Sequence, residues 1–103
     1  TDPEIFFADS FGIMVTKGEP HEVRLRVEPR QAKYFRALPL HPSQREEVGD
    51  SYSIFTYRLL LTSDFVSEIL RYGSSVSVLA PRELRTMVVN ALREALANYP
   101  AEQ

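Results

Sequence analysis

Between His21 and Glu28 the chain alternates, with Val23, Leu25 and Val27 on one side and Glu22, Arg24, Arg26 and Glu28 on the other. A period of two with one apolar side predicts a half-buried strand. Pro29 stands where a helix would begin, and Ala32, Phe35 and Leu38 recur at helical spacing until Pro39 stops the pattern. Residues 40–51 are polar, with a short edge strand expected around Ser43–Val48 and a turn signal at Gly49-Asp50. Tyr52 to Leu61 is rich in β-branched and aromatic residues. Its Ser53, Phe55, Tyr57, Leu59 and Leu61 side carries no charge and is assigned to the core, which turns Tyr52, Ile54, Thr56, Arg58 and Leu60 outward. Together 43–61 make a hairpin. Thr62 or Ser63 caps the next helix, Asp64 sits at its positive end, Phe65, Val66, Ile69 and Leu70 form its buried stripe, and Gly73 closes it. Ser75 to Leu79 reads as a strand with Val76 and Val78 on one face. Pro81 opens the longest helix, in which Leu84, Val88, Ala91, Leu92, Ala95, Leu96 and Tyr99 repeat at three and four before Pro100 ends it.

The N-terminal segment reads differently. Asp2-Pro3 is a helix start, Ile5, Phe6 and Phe7 come next, and Gly12 supplies an end, which predicts a short helix over 3–11. Ile13, Met14 and Val15 are extended, and Lys17-Gly18-Glu19-Pro20 is a turn. After residue 21 the order is strand, helix, strand, strand, helix, strand, helix. Its first six elements match the split βαβ of a ferredoxin-like fold. The expected class is therefore α+β: a ferredoxin-like βαββαβ sandwich with an N-terminal helical segment and a long C-terminal helix. Such a sheet buries one face under its helices and leaves the other open.

Composition narrows the options. At 103 residues, 44% hydrophobic and 25% charged with a net charge of −2, the chain is sized and balanced for one globular domain. No apolar run approaches the roughly 18 residues of a membrane span. Without cysteine there is no disulfide, thiolate nucleophile or cysteine-bound metal. The start, Thr1-Asp2-Pro3-Glu4, lacks both a Met and the build of a signal peptide, so a piece of a longer chain is expected.

Catalytic constellations are missing from the pattern. His21 and His41 are far apart, and two histidines without cysteine do not make a zinc site. No serine lies in a G-x-S-x-G elbow, and Ser10 is better read as a helix-end residue. Glu46 and Glu47 are adjacent and on a strand point apart, and the four glycines are too scattered for a phosphate loop. No enzyme activity, metal or cofactor is expected. The arginines are more informative. Arg24, Arg26 and Arg58 fall on the same open face beside Thr56, with Arg30, Lys33 and Arg36 adding positive charge on the first helix. Guanidinium groups hold phosphates and carboxylates through paired hydrogen bonds, so these three are the candidate anion-binding residues. A competing reading pairs Arg24 and Arg26 with Glu22, Glu28 and Glu46 as an ordinary solvated face. The acidic net charge and the single outward aromatic, Tyr52, argue against a dedicated nucleic-acid domain. Apolar surplus in Ile5, Phe6, Phe7, Phe11, Ile13 and Met14, and in Met87 and Val89 beside the last stripe, is either core packing or an interface.

Several segments resemble one family. Phe7-Ala8-Asp9-Ser10-Phe11-Gly12-Ile13 is similar to a junction in bacterial WYL-domain transcriptional regulators. Four later segments resemble the C-terminal extension, WCX, of those proteins: Val23-Arg24-Leu25-Arg26-Val27, Pro39-Leu40-His41-Pro42-Ser43-Gln44, Leu70 through Pro81, and Glu83-Leu84-Arg85. The resemblance covers nearly the whole chain. It implies a ferredoxin-like WCX domain at 21–103, with 1–20 as an N-terminal helix and linker from a preceding WYL domain. No Trp-Tyr-Leu motif and no helix-turn-helix stands in this sequence. The function implied by the resemblance is that of a cytoplasmic, non-catalytic regulatory and dimerisation module of a DNA-binding regulator, contributing to an effector-sensing surface. The implied partners are a WYL domain of the same or another chain, a second copy in a homodimer, and a nucleotide or single-stranded nucleic-acid effector, with no membrane. The alternative is direct binding of single-stranded nucleic acid or nucleotide through the basic open face.

Overall fold

The computed structural model describes residues 5–8, 13–16 and 19–101. Strand β3 (His21–Val27) buries Val23, Leu25 and Val27 completely and turns Glu22 and Arg24 to solvent, as its alternation requires. Helix α1 (Pro29–Ala37) starts on a proline, whose ring presets the helical φ and whose missing N–H is not needed there. It buries Ala32 and Phe35. Leu38, expected on the same stripe, is 78% exposed. Its backbone leaves the helical region (φ −132°, ψ 86°), as a residue preceding proline tends to.

The polar stretch after α1 forms strand β4 (Arg45–Val48), which pairs with β5 (Ser53–Leu59) through a tight connection. There the Gly49 N–H donates to the Tyr52 carbonyl at 2.9 Å, and a Cβ on Gly49 would lie 2.5 Å from that oxygen. Only glycine fits this turn. Helix α2 (Ser63–Arg71) is capped by Thr62, whose Oγ1 accepts from the Phe65 N–H at 3.1 Å. Gly73, at φ +60°, sits just past its end in the left-handed region that favours glycine. Strand β6 (Val76–Ala80) and helix α3 (Arg82–Leu96) complete the body.

The four strands form one sheet in the order β4-β5-β3-β6, with every neighbouring pair antiparallel. All three helices pack on one face. Phe35 of α1 meets Phe55 edge-on at 5.5 Å between ring centroids and Tyr72 at 5.0 Å. Val66 and Ile69 of α2 and Leu84, Met87 and Val88 of α3 close the rest of the core.

Two polar clusters are fastened into this layer. Gln44 donates from Nε2 to the Phe35 carbonyl (2.9 Å), while its Oε1 accepts from the buried Tyr57 hydroxyl (2.7 Å) and the Leu40 N–H (3.1 Å). Burial pushes the Tyr57 phenol well above its ordinary pKa, so it remains a donor. Glu46 accepts from Arg36 Nε (2.7 Å) and Nη2 (2.6 Å) and from Ser53 Oγ (2.7 Å). The Arg36 hydrogen bonds hold its carboxyl below the usual range, tying α1 to the edge strand.

Two expectations are corrected. The helix predicted over 3–11 is not formed at its centre. Ile5–Ala8 is strand β1, paired antiparallel with β2 (Ile13–Thr16) in the register Ile5 to Thr16 through Ala8 to Ile13. Ile and Phe favour a pleated strand, and pairing with a second apolar strand outweighs the helix-start signal ahead of it. The Asp2-Pro3 cap, Ser10, Gly12 and the Lys17-Gly18 half of the turn lie outside the described residues. The second correction concerns α3, whose stripe is buried only in its first half. Leu92, Leu96 and Tyr99 are 53%, 70% and 71% exposed. A 15-residue helix is about 22 Å long, and the five residues of β6 span about 17 Å, so the helix outruns what lies beneath it.

Candidate functional site

The candidate site is the sheet face opposite the helices. Pairing register places each side chain. Arg24 of β3 lies directly across from Thr56 of β5, and Arg45 of β4 lies across from the same Thr56 on its other side. One row over, Glu22 is opposite Arg58, and on the other side Arg26 is opposite Ile54, which is opposite Glu47. Alternation on three strands thus brings Arg24, Arg45 and Arg58 around Thr56, where direct and diagonal neighbours on one face are about 5–8 Å apart.

Among the described residues the ion pairs are Arg36–Glu46 and Arg71–Glu68, and none involves Arg24, Arg45 or Arg58. The pairing of Arg24 and Arg26 with Glu22, Glu28 and Glu46 is therefore not formed. Glu46 points to the helix side and belongs to Arg36. Nor does the first helix add charge to this face: α1 packs against Phe55, on the opposite side of the sheet, and Arg36 is occupied.

Arg26 goes its own way. Its Cζ lies 4.5 Å from the centroid of the Tyr52 ring, a cation–π contact at the hairpin end of the face. Of the three arginines selected from the sequence, Arg24 and Arg58 are gathered around Thr56 and Arg26 is stacked apart. Arg45 was missed. Its signal was present, since the alternation that separates Glu46 from Glu47 also turns Arg45 toward Thr56 once the hairpin register is set.

The rim is held by the 41–44 loop. Ser43 Oγ accepts from the Arg58 backbone N–H at 2.9 Å, and its hydrogen lies within reach of His41 Nδ1 (2.8 Å) and the Arg58 carbonyl (3.3 Å). The hydroxyl continues the ladder of β5 beyond the end of β4. The Ser43 N–H donates to His41 Nδ1 at 3.1 Å, which assigns that nitrogen as acceptor and the proton to Nε2. The result is a shallow depression of 570 Å³ lined by Ser43, Arg45, Thr56, Arg58 and Glu22, with a second of 370 Å³ lined by Arg24, Arg45 and Thr56 together with Glu22, Glu46 and Glu47. Three guanidiniums without an ion-pair partner among the described residues, and a hydroxyl, around open space can hold a phosphate or carboxylate. A larger depression of 690 Å³ lies between the end of α1 and α2, but it is lined by Asp64 and Glu68 with no arginine or lysine to hold an anion.

Among the described residues no three His, Asp or Glu side chains converge as metal ligands, and no helix is long and apolar enough to cross a membrane. These features define a mixed α/β domain with a four-stranded antiparallel sheet, helices on one face and a basic open face. A model of the WCX domain matches residues 19–96, and the chain belongs to that family, a family of C-terminal domains of regulators. No curated protein matches the chain.

Proposed function

We propose that this domain is a non-catalytic regulatory module of a cytoplasmic transcriptional regulator, that it takes the ferredoxin-like fold, and that its open face receives an anionic effector at Arg24, Arg45 and Arg58. The strand order β4-β5-β3-β6 in a strand-helix-strand-strand-helix-strand chain supports the fold. The observation that carries the site is the cross-strand row Arg24-Thr56-Arg45, with no carboxylate paired to either arginine among the described residues. Four arginines against Glu22, Glu28 and Glu47 make this face positive on a chain whose net charge is −2. Residues 1–20 serve as the connection to a preceding WYL domain, and self-association of the module helps hold a dimer.

Titration with inorganic phosphate and with a short phosphorylated oligomer, monitored by amide chemical shifts, tests the site. Shifts centred on Thr56 and Arg45, weakening steeply with salt as counterion release requires, and lost in Arg24→Ala/Arg45→Ala, are expected. Binding that is indifferent to salt, or that maps to the helix side, would overturn the reading.

A further inference from the structure

The two edges of the sheet are built differently. The β4 edge carries Arg45, Glu46, Glu47 and, at its end, a 73% exposed Val48, whereas the β6 edge is Val76-Ser77-Val78-Leu79-Ala80, with no charge and no proline. Unpaired edges invite strand addition, and charges are the usual protection. Self-pairing also separates the two edges. An antiparallel two-fold pair of β4 strands centred on Glu46 or on Glu47 would set that glutamate against its own copy, like charges face to face. A pair of β6 strands centred on Val78 sets Val78 against Val78 and Ser77 against the partner's Leu79, with nothing charged in contact.

Helix α3 packs on β6 and α2, and beyond Ala91 its apolar stripe of Leu92, Ala95, Leu96 and Tyr99 has nothing opposite it among the described residues. Leu79, 43% exposed, stands on the open side of the same strand.

We propose that the β6 edge, with the overhanging half of α3, is where two copies of this chain join. This inference rests on the assembly half of the reading above and names its surface. The two-fold axis runs through the Val78 pair, normal to the sheet. Facing residues of an antiparallel pair share a side, so the joined sheet has eight strands and both Arg24-Thr56-Arg45 rows lie on one continuous face. An effector long enough to reach both rows would then favour the dimer. A five-residue edge and two helical turns make a small interface, in the class below about 1,200 Å² that associates weakly, so the dimer is expected at micromolar concentrations and above.

Sedimentation velocity over a concentration series, at low and high salt, compares the chain with Leu79→Lys and with Leu92→Glu/Leu96→Glu. All three positions are solvent-exposed, and a thermal melt checks that each variant folds. The expected result is a reversible dimer that persists in high salt. Both variants should raise its dissociation constant about tenfold or more, and β6 amide exchange should slow as concentration rises. A dimer unmoved by both substitutions overturns this surface and leaves the assembly reading standing. A wild-type chain that stays monomeric into the hundreds of micromolar range (about the limit of the weak class) overturns both.

Discussion

The two faces of the sheet are made from the same strands and obey opposite rules. On the helix side, Val23, Leu25, Phe55 and Tyr57 are at most 1% exposed, and Glu46 is bound by Arg36 and Ser53 and Tyr57 by Gln44, while His21 Nε2 is the one buried side-chain polar atom without a hydrogen-bond partner among the described residues. On the open side, Arg24, Arg45 and Arg58 are exposed and hold no ion-pair partner among the described residues. One residue along the chain is enough to cross from one regime to the other. Glu46 faces the helices and is bound by Arg36, while Glu47 faces solvent opposite Ile54. Unsatisfied polar groups are costly only where water is excluded. Unpaired arginines therefore persist on the open side at little cost and remain available to a ligand.

Substitutions of graded size test that contrast. Leu25→Ala, which removes a fully buried side chain from the middle of β3, is expected to cost about 2–5 kcal/mol in denaturant unfolding. A neutral result would mean the faces are inverted. Gln44→Ala leaves the Tyr57 hydroxyl, the Leu40 N–H and the Phe35 carbonyl without their partner. It should cost about 1–3 kcal/mol, with the phenol's ultraviolet titration, already displaced upward by burial, registering the change. Glu46→Gln is smaller and shows itself through pH. The folded-state pKa of Glu46 is depressed, first by the Arg36 hydrogen bonds, so its contribution is complete above the ordinary carboxylate range and is lost as pH falls through the folded value. The variant should lose that contribution at neutral pH, converge with the unsubstituted chain below the folded value and so flatten the acid limb; an unchanged acid limb would count against the pair. Arg24→Ala and Arg45→Ala are expected to move stability by no more than about 0.5 kcal/mol each while removing anion binding. A larger loss of stability would show the open face to be structural.

Much of the fold is legible in the sequence because strand alternation depends on neighbouring residues alone. The buried set Val23, Leu25, Val27, Ser53, Phe55, Tyr57, Leu59 and Leu61 comes from periods of two, and the Thr62 cap and the Gly73 end come from local backbone requirements. The arginine face is legible in part for the same reason. Arg24 and Arg58 share it by parity, whereas Arg26, correct in parity, is drawn to Tyr52, a contact set by where the hairpin places that ring. Arg45 and the role of the 41–44 loop are harder to see. The motif His41-Pro42-Ser43-Gln44 carries no periodicity, and its Ser43 and Gln44 bonds reach residues 9 to 15 positions away.

By itself the sequence determined which residues alternate, where helices start and stop, and which face of each element is apolar, since sterics and solvation act over a few residues. Tertiary structure decided what lies across from what. It joined Ile5–Ala8 to Ile13–Thr16 as strands against a local helix signal, gave Glu46 to Arg36, set Arg24 and Arg45 on either side of Thr56, and left half of the α3 stripe uncovered. Each of these depends on bringing distant segments together. No local preference encodes the free energy of that pairing, which arises only when the register of the whole sheet is fixed.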